Sequence, residues 1–197
     1  MLREGNQRFV TDQMRSTAIS HHERRRSLVD GQEPFAIVLG CSDSRVPAEL
    51  VFDQGFGDLF VIRVAGNIVA PSQVGSVEFA ASRFGTQLVV VMGHSHCGAV
   101  IATLEELQGR GKQGSSNLRS IVNRVRPAVE TLLASRSTDD QESLLRDAVR
   151  ANVRAATNHL RNGSVLLEEF IQDKGLVVVG AEYSLETGVV EFFDGID

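Results

Sequence analysis

The chain has no tryptophan, one tyrosine and only two cysteines among 197 residues, and no strong excess of either charge. Two cysteines far apart cannot build a disulfide scaffold; one bridge is the most they form, and in a chain of cytosolic character metal binding or catalysis is the better reading. A formal charge of −5 leaves no electrostatic footprint for nucleic acid. The Arg24-Arg25-Arg26 run is short and flanked by Glu23 and Asp30, so it reads as a solvated or ion-paired helix face. No apolar run is long enough to span a bilayer. The first residues, Met1 to Asn6, lack the apolar stretch of a secretion signal, so we expect a cytoplasmic protein, or a periplasmic one if a leader was removed.

What is present is a regular alternation. Residues 1–30 are polar and helical in character, with Phe9 and Val10 as apolar anchors; an arm with so little apolar surface is expected to lie across the core or across another subunit. Continuous apolar runs follow at Phe35–Leu39, Leu59–Ile62, Leu88–Met92 and Leu176–Val179, each consistent with a strand buried on both faces. A fifth strand at Gly188–Phe193 follows the fourth after a short turn, so it should run antiparallel to it. Helical spacing covers Val77–Phe84, Cys97–Leu107, Leu118–Leu133, Glu142–Leu160 and Val165–Gln172, the last capped by Ser164. Pro127 is expected to kink or restart its helix. Residues 109–117 read as a mobile loop. No internal repeat and no second domain stand out. The pattern predicts an α/β fold, a mainly parallel sheet with helices on both faces.

Both cysteines follow strands and sit beside other ligand types. Cys41 opens Cys41-Ser42-Asp43-Ser44-Arg45, and Cys97 closes His94-Ser95-His96-Cys97. Thiolate and imidazole are preferred zinc ligands, and three of them with one open position describe a catalytic site. If the first and third strands are neighbours, the two clusters meet at the carboxyl end of the sheet, where ligands bind in such folds. His96 competes with His94, but its adjacency to Cys97 disfavours both on one metal. We assign His94 to the metal and His96 to a structural role; His21, His22 and His159 read as exposed. Three rivals stay open: a closed structural zinc with Asp43 as fourth ligand, a redox pair of Cys41 and Cys97, and hydrolysis of another linear carbon compound such as CS2 on the same scaffold.

The run GCSDSRVPAE, residues 40–49, and the run GHSHCGA, residues 93–99, together resemble the paired signature of the beta-class carbonic anhydrases. The resemblance extends from Leu2–Phe9 through Phe60–Asn67 to the hairpin around Tyr183. It implies a four-stranded parallel sheet with an added antiparallel strand over residues 1–197, the arm wrapping a partner subunit, in a homodimer or homotetramer. It implies zinc on Cys41, His94 and Cys97, an Asp43–Arg45 dyad beside it, and reversible hydration of CO2 to bicarbonate and a proton by a zinc-bound hydroxide. A regulatory bicarbonate pocket found in one branch uses Trp, Arg and Tyr. Arg63 and Tyr183 match it here, but Val38 stands at the tryptophan position. The other branch carries a glutamine, matched by Gln32, and an apolar CO2 pocket matched by Phe60, Phe79 and the backbone of Gly98; Gln32, Phe60 and Phe79 would come from the partner.

Overall fold

The computed structural model describes residues 1–15, 22–111, 114–135 and 140–196. Helix α1 (Leu2–Val10) and helix α2 (His22–Ser27) precede strand β1 (Ala36–Gly40). Helix α3 (Ala48–Val51), strand β2 (Leu59–Arg63), a 3-10 turn (Ala65–Asn67), helix α4 (Pro71–Phe84) and strand β3 (Leu88–His94) follow. Helices α5 (Gly98–Leu107), α6 (Ser116–Ser135), α7 (Gln141–Asn162) and α8 (Val165–Asp173) lead to strands β4 (Val177–Tyr183) and β5 (Val190–Asp194).

The strands form one sheet in the order β2-β1-β3-β4-β5. β1 pairs in parallel with both β2 and β3, β3 in parallel with β4, and β4 antiparallel with β5. All five residues of β1 are buried, as a strand covered on both faces must be. Ile37, Leu39, Val89, Val91 and Val178 face α4, α7 and α8. Val38, Val90, Met92, Val179 and Ala181 face α1, α3 and Phe52. After β1 the chain goes outward to β2 and then crosses to β3 on the other side. The carboxyl ends of β1 and β3 therefore bracket the point where strand order reverses, where α/β sheets open a crevice.

Several boundaries differ from the sequence reading. α4 begins at Pro71, not Val77, because proline is preorganised for the first helical position. α6 continues through Pro127 as one helix and begins at Ser116, inside the stretch read as a loop; Lys112 and Gln113 of that stretch lie outside the described residues. The hairpin strand starts at Val190 because Gly188, with φ +75°, belongs to the turn. In α1 the buried face is Leu2, Gly5 and Asn6, while Phe9 is half-buried and Val10 exposed. Asn6 ties the helix to its own core: its amide donates to the Val51 and Gly188 carbonyls and its oxygen accepts from the Val190 amide. Arg8 adds an ion pair to the buried Asp53. α2 buries no residue within the chain, and Arg24 pairs with Asp58. His22 and His159 are exposed; His21 lies outside the described residues.

Helix α7 crosses β3 so closely that only glycine fits at position 93. A Cβ there would lie 2.6 Å from Val153 Cγ2 and 3.2 Å from Val149 Cγ1. We predict that Gly93→Ala destabilises the fold by about 1–3 kcal/mol, the usual cost of overpacking. A urea midpoint equal to the parent's would contradict this.

Candidate metal centre

Three side chains converge where β1 and β3 end. Cys41 directly follows β1, His94 is the last residue of β3, and Cys97 is the residue that opens α5. All three are buried, and their ligand atoms lie within 4.8 Å of one another. Both cysteines are free thiols.

The histidine is set for one role. Its Nδ1 lies 2.8 Å from the Ser95 carbonyl oxygen. A carbonyl only accepts, so Nδ1 carries the hydrogen and Nε2 keeps its lone pair. That Nε2 is fully buried and has no hydrogen-bond partner among the described residues. An orphaned buried acceptor is costly unless something fills the space before it.

The two sulfurs sit in unequal surroundings. The Cys97 thiol, with the Gly66 and Asp43 backbone amides, pulls the Cys41 thiol down against the opposing effect of burial. The resulting thiolate and burial push Cys97 up, while the Ala99 and Val100 amides at the start of α5 pull the other way. A dication binding both sulfurs would displace whatever protons they carry. Two thiolates and one neutral imidazole at such spacing suit zinc.

Backbone conformation delivers one of these donors. The Gly66 amide donates to Cys41 Sγ at 3.3 Å, and Gly66 has φ +70°. A Cβ on it would sit 2.8 Å from the Ala99 Cβ. Glycine lets this turn reach the sulfur. The buried Asn152 fixes the turn by donating to the Gly66 carbonyl at 2.8 Å.

Asp43 lies at the mouth of the cluster. Arg45 holds it in a fork, Nε to Oδ1 at 2.9 Å and Nη2 to Oδ2 at 2.7 Å, and the Arg45 amide adds a bond to Oδ1 at 3.0 Å. Asp43 Oδ2 is 3.8 Å from His94 Nε2. The Arg45 side chain, chiefly, holds the carboxyl well below the usual carboxylate range. Because the folded pKa is depressed, the pair contributes stability above the unfolded value near ~3.9 and loses it as pH falls through the folded one. Asp43 is thus ionised at neutral pH.

Arg63 at the end of β2 donates to the Cys41 carbonyl at 3.0 Å and to the Asp43 carbonyl at 2.6 Å. It thereby fixes the loop carrying both residues. Tyr183 is buried, with its ring 6.4 Å from that of Phe9. His96 does not enter the cluster; its Nε2 lies 2.8 Å from Glu186 Oε1.

The remaining predicted residues are divided. Gly98 opens α5 beside Cys97 and is exposed. Phe60 on β2 and Phe79 on α4 form an aromatic group with Phe84, with ring centroids 5.7–6.3 Å apart, and Phe79 is 54% exposed. Gln32 is exposed and precedes β1, at the opposite end of the strand from Cys41. Five residues of strand, roughly 16 Å at ~3.3 Å per residue, separate it from the cluster of its own chain.

The carbonic anhydrase family profile matches residues 36–190. The chain belongs to the beta-class carbonic anhydrase family. It is 39% identical over 189 residues to carbonic anhydrase 2 of Mycobacterium tuberculosis, covering 95% of this chain and 87% of that protein. Among solved structures it resembles the beta-carbonic anhydrase CafA of Aspergillus fumigatus, with a TM-score of 0.77 and 29% identity over 89% of this chain and 82% of the other. It also resembles one of two tetrameric beta-carbonic anhydrases of Sordaria macrospora, with a TM-score of 0.76 and 26% identity over 86% and 85% of the two chains. CO2 hydration is the general activity of the family, and no helix among the described residues of this carbonic anhydrase is long and apolar enough to cross a membrane.

Proposed function

We propose that this carbonic anhydrase hydrates CO2 reversibly to bicarbonate and a proton, with zinc held by Cys41, His94 and Cys97. The observation that carries the reading is the buried, unpartnered His94 Nε2 beside two free thiols. Zinc bound there supplies a water whose pKa is lowered from ~15.7 to about 7. With two thiolates in the donor set, much of the dication's charge is already neutralised, so neighbouring side chains must assist.

Asp43 is that assistance. Its Oδ2 accepts a hydrogen bond from the attacking oxygen and turns a lone pair of that oxygen towards the carbon of CO2. Arg45 keeps the carboxylate ionised and in place, and Arg63 keeps the loop from shifting. Productive orientation matters because a misplaced attacking atom costs about 100-fold in rate.

The substrate pocket is completed by a second copy of the chain, giving a homodimer or homotetramer of single-domain subunits in which residues 1–30 reach across the partner. Support comes from the open edge of the sheet. Among the described residues β2 has no strand on its outer side, and Phe56 and Phe79 are exposed near it. A second copy there brings its Gln32, Phe60 and Phe79 to the cluster beside Gly98. The phenylalanines suit a small uncharged substrate, and the Gln32 amide donates to the developing bicarbonate oxygen. We place the protein in the cytoplasm, a reducing compartment that keeps both thiols available.

Stopped-flow CO2 hydration tests the function. Activity is expected with zinc, is lost on full chelation and returns when zinc is restored; activity that survives chelation contradicts the proposal. Gln32→Ala is expected to lower turnover, by at most about 100-fold, with the circular dichroism unchanged. An unaltered rate would make Gln32 a turn residue before Pro34.

A further inference from the structure

The turn between β3 and α5 carries two of the three proposed ligands, with Ser95 and His96 between them. Its backbone is not relaxed: His96 has φ +53°, a region that disfavours any residue with a side chain. Something outside the turn must hold it.

That hold comes from the β4–β5 connection. Glu186 Oε2 accepts from the Ser95 hydroxyl at 2.9 Å and from the Ser184 hydroxyl at 2.9 Å. Glu186 Oε1 lies 2.8 Å from His96 Nε2. The Ser95 hydroxyl in turn accepts from the Leu185 amide at 2.9 Å, and the Ser95 amide donates to the Tyr183 carbonyl at 2.9 Å. Every polar group of Ser95 is engaged, and its carbonyl is the acceptor that fixes the tautomer and rotation of His94. Glu186 and His96 are each 53% exposed, yet one carboxylate gathers three partners and joins segments 91 positions apart in the chain. Glu186 stays charged: its own amide, the two serine hydroxyls and His96 draw its carboxyl down to about 2.

We propose that Glu186 is a positioning residue for the metal, locking through Ser95 and His96 the turn that presents His94 and Cys97. This rests on the reading of Cys41, His94 and Cys97 as ligands. Metal affinity and coordination geometry then depend on the β4–β5 turn, although Glu186 touches neither the metal nor a ligand.

The test uses Co2+ on the full chain with its thiols reduced, reading the dissociation constant by chelator competition and the visible ligand-field spectrum. Glu186→Ala is expected to weaken cobalt binding about 10–100-fold, the usual cost of losing a group that orients a ligand, and to shift the bands. Glu186→Gln keeps an acceptor for both serines and is expected to restore most of the affinity and the parent spectrum. Ser95→Ala should resemble Glu186→Ala, and the double variant should be no worse than either single one. Parent-like affinity and spectrum in Glu186→Ala overturn the clamp, as do strictly additive losses. So does a lower metal-free melting temperature with an unchanged cobalt spectrum. If Glu186→Ala does not fold, parent-like binding by Ser95→Ala overturns it. A parent chain that takes up no cobalt overturns instead the assignment of the ligands, and the clamp with it.

Discussion

Cys41→Ala, His94→Ala and Cys97→Ala are each expected to leave the purified protein without zinc and without CO2 hydration. The three donors converge from two strand ends and a helix start, and each is buried. The other donors nearby are already engaged: His96 is turned to Glu186, and Asp43 is bound in the Arg45 fork. Removing one ligand leaves two, too few for the three-ligand catalytic pattern. The fold should survive, since most of the core lies along the sheet faces away from the cluster. Metal content by mass spectrometry, with circular dichroism as control, checks this. A variant that keeps one zinc per chain and parent activity would remove its residue from the ligand set.

The second large effect belongs to Asp43. Asp43→Ala is expected to retain zinc, because Asp43 is not among the clustered donors, and to lose about 100-fold or more in turnover. Arg45 should then have no carboxylate to hold and no effect of its own beyond that loss, so Asp43→Ala and the double variant with Arg45→Ala should be similarly slow. Full activity in Asp43→Ala would show that the attacking oxygen needs no acceptor there. Loss of zinc would instead make Asp43 a ligand.

These residues differ in how legible they were in the sequence. The strands announced themselves because a strand covered on both faces must be apolar throughout, as Ala36–Leu39 and Val89–Met92 are. α3 and the 3-10 turn, of four and three residues, are too short for periodicity to register. Cys41, His94 and Cys97 stood out because soft donor types beside strand ends are rare in an otherwise apolar and charged pattern. Asp43 and Arg45 were visible by their nearness to Cys41.

What escaped is what residue identity does not encode. The Gly66 amide supplies a main-chain donor to Cys41, and every residue but proline has such an amide; its φ of +70° and the close approach to Ala99 show why glycine is there. Arg63 was matched to a pocket around Val38 and Tyr183, yet its bonds go to the carbonyls of Cys41 and Asp43. Glu186 reaches Ser95 only because β3 and β4 are neighbours with Tyr183 opposite His94, a register set by tertiary structure. Gln32, Phe60 and Phe79 are apart from the cluster within one chain, so their proposed place depends on a second copy.

The most direct measurement is zinc-edge X-ray absorption on the purified protein at neutral pH. Two sulfurs at ~2.3 Å, one imidazole nitrogen at ~2.0–2.1 Å and one further light atom lost to a competing anion are expected. A sample without zinc, or a metal whose four neighbours all belong to side chains and resist exchange, would contradict a catalytic centre built from Cys41, His94 and Cys97.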